Sequence, residues 1–373
     1  MIKWKILTDE EARGTWDQTL VRFSDCSPFQ SYAWGEYRRS LGWQPCRWAA
    51  FDDQDQIVAM MQASLRRYPL GVGLVWCEGG PVGDLSSCDE RLQSAIMDTT
   101  NVKRLYCRFR CDRERNIKDC LQLTAQGWSM PWSPITTNYS MILDLSQSEE
   151  HLLAACDRNW RRNLRRSQEC DLKVSHWHDA SADEVLAVYQ SMQDLKGLEE
   201  QFSHDEIEQL LKHLNQRLVL YRCDDEDGHV VSLLGCLIIG HRAGAVFWAT
   251  SEMGRKLHAS YAIFWALVQH CRRLGLKSYD LAGIDPVRNH GVYRFKRDTG
   301  AVPVEYLGEW DWANSSRWRW FGNWAIARRN QLDMAKPIRG ESPLASQIPS
   351  RFIATTVRAS LSLFALITSH SID

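Results

Sequence analysis

The stretch HASYAIFWALVQHCRRLG (258–275), followed almost at once by KSYDLAG (277–283), decides the fold. The first reads as a helix closed by Gly275. The second reads as a short buried strand that breaks at Gly283. Three strands precede the helix: RLVLYRCD (217–224), VVSLLGCLIIG (230–240) and AGAVFWATS (243–251). The order is a three-strand meander, a helix, and a returning strand. VPVEYLGEWDW (302–312) reads as the strand that completes the sheet.

The first half of the chain repeats this order. PCRWAAFD, QIVAMMQASLRR and GVGLVWCEGG read as strands, SCDERLQSAIMDTTN as a helix and KRLYCRFR as the next strand. Trp76 stands about as far before Tyr106 as Trp248 stands before Tyr279, which suggests a duplicated unit. The layout is that of the acetyltransferase-type α/β fold, in which strands four and five splay and admit a ligand. The expectation is two tandem GNAT-like domains, residues 1–140 and 141–335, packed around a central cleft. Residues 336–373 form a C-terminal loop and amphipathic tail.

The formal net charge of −1 excludes a polycation, so any nucleic-acid contact has to come from a local patch. Twelve cysteines with no CxxC pair give no zinc pattern and suit reduced thiols in the cytoplasm. The N-terminus lacks a signal-peptide core. The tail segment ASLSLFALIT (359–368) is too short to span a bilayer, and suits either a surface-lying membrane helix or a tail docked on its own domain. Five of the 17 tryptophans crowd into EWDWANSSRWRWFGNW (309–324). Indoles beside arginines suit a membrane interface or a stacked ligand; the plainer reading is a helix packing against the second domain.

A coenzyme-A site of this fold needs an Arg/Gln-x-x-Gly-x-Gly/Ala loop, whose backbone N–H groups hold pyrophosphate. Here the register gives RKLHAS, with His258 and Ser260 where small residues are wanted, which disfavours coenzyme A. EGGPVGDLSS in the first half loses one donor at Pro81. Arg158, Arg161, Arg162, Arg165 and Arg166 crowd one helix. Helical spacing sets Arg158, Arg161/Arg162 and Arg165 on one face, which reads as an anion grip or as a solvated face. No Ser/His/Asp or Cys/His set stands out. His258 and His290 are acid–base candidates, and Asp280 and Asp285 sit where they would orient an amine or cap a turn.

Three passages resemble the FemABX family: PFQSYAWGEYRRSLGWQP (28–45), RNWRRNLRRSQECDLKV (158–174), and the block ASYAIFWALVQHCRRLGLKSYDLAGIDP…GVYRFKRDTGAVPVEYLGEWD (259–311). That resemblance implies an acyltransferase that joins an amino acid, carried by an aminoacyl-tRNA, to an amino group of a peptidoglycan-precursor-like acceptor. The acceptor would be nucleotide- or lipid-linked, and the aminoacyl-tRNA would be a co-substrate with no further cofactor or metal. The enzyme would be cytoplasmic, with peripheral contact at the inner face of the membrane. Lys296 matches the family's catalytic-site lysine and would neutralise charge on the carbonyl or leaving ribose oxygen. Phe295 would stack on the terminal adenosine or shape the pocket. Arg38 stands where the family places a lysine on the acceptor's phosphate. Trp34 and Tyr261 match cleft aromatics, and Lys196 lies near a family arginine. The family's coiled-coil arm is absent, since 199–217 is too short for one.

Three alternatives stay open: an acetyl-CoA-dependent N-acyltransferase of envelope polysaccharide synthesis, tRNA-dependent tailoring of a small metabolite, and a non-enzymatic assembly factor.

Overall fold

The computed structural model describes residues 2–196, 202–287 and 289–334, and the tail expected over 336–373 lies outside them. In chain order the first elements are β1 (Lys3–Leu7), α1 (Asp9–Ala12), α2 (Trp16–Leu20), α3 (Tyr32–Ser40), β2 (Gln44–Phe51) and β3 (Ile57–Tyr68). Then come β4 (Val72–Glu78), β5 (Val82–Gly83), α4 (Glu90–Thr100), β6 (Arg104–Glu114) and α5 (Ile117–Ala125). The second half begins with β7 (Tyr139–Asp144), α6 (Glu149–Ala155), α7 (Arg158–Gln168), β8 (Lys173–His176), α8 (Ala182–Lys196) and α9 (His204–Leu214). It continues with β9 (Leu218–Asp224), β10 (Val230–Ile239), β11 (Arg242–Thr250), α10 (Glu252–Lys256), α11 (Ala259–Arg273), β12 (Ser278–Asp280) and α12 (His290–Arg297). The described chain ends with β13 (Val302–Ala313) and α13 (Ser316–Met334).

Two units emerge, and their composition differs from the sequence expectation. Among the described residues, the first contains the chain to Asn138 together with residues 305–334, and the second spans Tyr139–Val304. The strand expected to complete the second sheet, β13, pairs antiparallel with β6 of the first unit, from Tyr306↔Glu114 to Ala313↔Tyr106. The second unit takes β7 as its partner for β12. A linear boundary near residue 140 groups residues 305–334 with the second half, whereas by contact they cluster with the first unit. Hydrophobic alternation identifies a strand but says nothing about its distant partner.

A buried charge network holds β13 in place. Arg108 on β6 is fully enclosed; it donates to Glu309 Oε2 at 2.9 Å and to the Tyr106 hydroxyl at 2.6 Å. Glu309 Oε1 accepts from the backbone N–H groups of Ile135 and Thr136. Asp311 accepts from Tyr106, Arg319 and Asn323. Each buried charge is thus matched by opposite charge and hydrogen bonds, the condition under which such a group is tolerated.

In the second unit β9, β10 and β11 form the expected meander, and α11 with α7 covers a core that includes Trp160, Phe264, Leu267 and Tyr279. Residues 149–168 form two helices, not one. Ser148 caps α6 through His151 N–H, but Asp157 is extended and starts α7 afresh by accepting from Asn159 N–H at 2.7 Å. The arginine-rich segment therefore has its own N-terminus.

Removing one partner from the β6–β13 network leaves charge buried without compensation. Arg108→Leu is expected to lower stability by about 3–5 kcal/mol, measured by urea unfolding followed by circular dichroism.

Candidate functional site

β11 and β12 run parallel and pair at only three positions, from Arg242↔Ser278 to Gly244↔Asp280. β11 then continues alone on that side to Thr250, so the predicted splay of strands four and five is present in the second unit. The first unit differs. There β4 pairs with β6 along its whole length, from Val72↔Arg104 to Glu78↔Arg110. The duplication repeats the strand order without repeating the opening.

At the open end of β12 the chain turns sharply. Asp280 Oδ1 accepts from Ser140 Oγ and from the N–H of Ala282. Ala282 is in the left-handed region, at φ 60°, a conformation that L-residues hold only when their surroundings enforce it. This turn aims two carbonyls at one point. Lys296 Nζ donates to Ala282 O at 3.1 Å and to Gly283 O at 2.9 Å. Lys296 is only 5% exposed, and its Nζ lies 5.7 Å from the centre of the Trp248 ring. Burial lowers the lysine's pKa to about 8, while the nearby Asp280 charge opposes the shift.

The resemblance assigns Phe295 and Lys296 to the site without fixing their local structure. They lie on helix α12, and the lysine is internal. Phe295 joins an aromatic cluster with Tyr261 at 5.0 Å, Trp248 at 5.4 Å, Phe264 at 5.8 Å and Trp160 at 6.0 Å. The Tyr261 hydroxyl accepts from Asn163 Nδ2 at 3.0 Å. So Lys296, Phe295 and Tyr261 converge at the splayed end of β11. Trp248 completes this group; its position late in strand four was the one signal in the sequence, used there only as a spacing marker.

Other expected residues do not join it. Asp285 caps its own turn by accepting from the N–H of Val287 at 3.0 Å. Trp34 and Arg38 belong to the first unit, and both are buried. Trp34 Nε1 donates to Glu78 Oε2 at 2.9 Å. Burial raises the Glu78 pKa, and the Arg38 charge is the strongest influence drawing it back. The Arg38 guanidinium also stacks over Trp43 at 5.0 Å. Arg38 is thus a desolvated arginine beside an internal carboxylate. Trp34, hydrogen-bonded inside the same cluster, is likewise interior. Lys196 ends α8, and its side chain lies outside the described residues.

The arginine helix presents a second feature of the second unit. Arg158, Arg161, Arg165 and Gln168 line one groove of about 470 Å³ with Leu153, Leu164 and Trp265. Arg162 points elsewhere and is exposed. Among the described residues none of these arginines has a carboxylate partner. Three guanidinium groups beside an indole suit a phosphate next to a base.

The segment after β11 bears on coenzyme A. It coils into α10, whose following N–H groups are used internally: Arg255 N–H donates to Ser251 O, Leu257 N–H to Met253 O and His258 N–H to Arg255 O. Gly254 permits this, since a Cβ there would stand 2.3 Å from Val231 O. His258 takes φ 57°, and the Ser260 hydroxyl is tied to Thr250 at 2.9 Å. The N–H groups of Arg255, Leu257 and His258, in the turn before α11, are therefore engaged within the chain.

An acetyltransferase (GNAT) domain family model matches residues 154–297. No curated protein matches the chain in sequence. Among solved structures, FemX is similar over 83% of this chain and 96% of its own, with TM-score 0.71 and 17% identity. A tandem GNAT protein from the clavulanic acid biosynthesis pathway is similar over 84% of this chain and 99% of its own, with TM-score 0.51 and 11% identity. The C-terminal domain of a putative lysylphosphatidylglycerol synthetase from Agrobacterium fabrum covers 84% and 96%, with TM-score 0.50 and 12% identity. The chain thus has the tandem GNAT fold.

A depressed lysine pKa has a stability signature. The unfolded chain retains the proton to about pH 10.5 and the folded chain to about 8, so stability rises with pH across that window. Between pH 7.5 and 9.5 the wild type is expected to gain about 2 kcal/mol relative to Lys296→Met. Urea unfolding of both proteins at the two pH values measures it.

Proposed function

We propose that the chain is an aminoacyltransferase: it joins an amino acid esterified to tRNA to the amino group of a nucleotide- or lipid-linked envelope precursor. The observation that carries this reading is the hydrogen-bond inventory of Lys296. An ammonium has three donors. Two are committed to Ala282 O and Gly283 O, and the third is left for a substrate oxygen.

In this reading the acceptor amine attacks the ester carbonyl, forming a C–N bond and a tetrahedral oxyanion. The third Lys296 donor stabilises that oxyanion, or the ribose oxygen as the C–O bond breaks. The proton lost by the amine ends on the departing ribose hydroxyl. A lysine of pKa about 8 suits proton delivery near neutrality better than one at the ordinary value. An aminoacyl ester is already activated, so positioning and charge stabilisation are the main requirements. The likeness to FemX in fold supports the reading. The groove of Arg158, Arg161 and Arg165 supplies a local cationic surface for tRNA on a chain with no net positive charge.

The second reading is transfer of an acyl group from acetyl-CoA. The gap between β11 and β12 favours it, because that is where the cofactor enters this fold. The engaged backbone around α10 opposes it.

Incubation with a charged tRNA pool and, separately, with acetyl-CoA, followed by mass spectrometry of candidate acceptors, decides between the two. Addition of an amino-acid residue is expected only with tRNA; an acetyl adduct would overturn the assignment. Lys296→Ala is expected to reduce turnover roughly hundredfold or more. Activity that depends on the ammonium falls as pH rises through about 8, a limb that Lys296→Arg should lack. Arg161→Gln with Arg165→Gln is expected to weaken tRNA binding and to lower the salt slope of log K by roughly 1.5–2, measured by filter binding over a salt series.

A further inference from the structure

Helix α13 is inverted. Its inward face is polar: Asn323 is fully buried, its Nδ2 donates to Asp311 Oδ2 at 2.5 Å, and Arg319 Nε donates to Asp311 Oδ1 at 2.6 Å. Gly322 lies against the Tyr106 ring so closely that a Cβ there would stand 2.5 Å from it. The outward face is aromatic. Trp320 is 54% exposed, Phe321 46% and Trp324 39%, and Trp132, also 54% exposed, meets Trp320 edge-on at 6.2 Å. Trp320 and Trp324 stack at 6.2 Å with nearly parallel planes. A helix in water places its apolar face inward, so this arrangement calls for an apolar phase outside.

The charge around the patch identifies that phase. Residues 316–328 contain three arginines and no carboxylate. Arg328 lies over Trp324 at 5.5 Å and Arg104 over Trp318 at 5.6 Å. Indole rings prefer the boundary between headgroups and acyl chains, and guanidinium groups beside them pair with lipid phosphates. The following sequence continues the bias: residues 351–368 hold two arginines, no acid and a run of apolar residues. Among the described residues no helix is long and apolar enough to cross a membrane, which leaves surface attachment.

We propose that the outward face of α13, with Trp132, seats the first unit on an anionic bilayer. This rests on the patch alone and stands apart from the aminoacyl-transfer reading.

The test is sedimentation of the full chain with phosphatidylcholine vesicles, with and without phosphatidylglycerol. Binding is expected to require phosphatidylglycerol, and Trp320→Gln with Trp324→Gln is expected to weaken it roughly tenfold or more. Leu361→Ser with Phe364→Ser, in the tail, is expected to retain most of the binding. A measurement without substitution guards against misfolded variants. Lipids brominated near the headgroup should quench the wild type's tryptophan fluorescence, and no tryptophan follows Trp324, so the tail alone gives no signal. Three results would overturn the proposal: failure of the wild type to bind either vesicle, absence of quenching, or a concentration-dependent dimer that the tryptophan substitutions abolish while vesicle binding stays unchanged. Transfer to a water-soluble acceptor is expected to survive these substitutions, so failure of the membrane proposal and failure of the functional reading are separately visible.

Discussion

The hydrogen bonds between β11 and β12 end at Gly244 and Asp280, and the chemistry of the second unit follows from that stop. Beyond it, the carbonyls of Ala282 and Gly283 have no ladder to join. Buried carbonyls without partners are costly. Here they are satisfied by a side-chain ammonium from α12 rather than by a neighbouring strand. The same contact supplies the ammonium with part of the solvation it gives up on burial. Splay, strained turn and buried lysine therefore form one arrangement, in which each element satisfies a need created by another.

The first unit resolves the same position in the opposite way. Its strands four and five stay paired to Glu78 and Arg110, and the space at their end is filled by Trp34, Arg38 and Gln30 packed around Glu78. Gln30 alone donates to the carbonyls of Gln62 and Glu78, tying α3's entry to β3 and β4. The charges of the Arg108 network are matched internally, and groups already paired with one another have little left for a ligand. The second unit carries the third donor of Lys296 and the arginines of α7.

Much of this was legible in the sequence, and the reasons for the rest are specific. The order of strands and helices follows from local pattern, which is what periodicity and turn residues encode, and the splay of strands four and five follows from the fold that this order implies, in the second unit only. The pairing of β13 with β6 was not, because partner choice is a long-range matter. Helix α12 has little signal in the sequence: Gly291 and a preceding proline-containing turn suit a loop, and its eight residues offer barely two turns of periodicity. Arg38 is a cation whose burial beside Glu78 no local pattern encodes. Conversely, the α7 arginines looked equally like a solvated face, and the groove they share with Trp265 gives them a common direction.

The choice of lysine at position 296 can itself be argued from the structure. An arginine would hold its charge at any working pH, but its planar fork is built for bidentate partners, and two carbonyls from successive residues on a left-handed turn present a different geometry. A lysine presents a compact charge with three donors, two of which are used by those carbonyls. Its charge is also retained conditionally: burial has drawn the pKa to about 8, so near neutrality the group is mostly protonated yet gives up its proton far more readily than an exposed lysine does. Stronger pairing with Asp280 would raise that pKa and make the group a fixed cation. The observed environment, where Asp280 is occupied with Ser140 and the Ala282 N–H, keeps the lysine between those states.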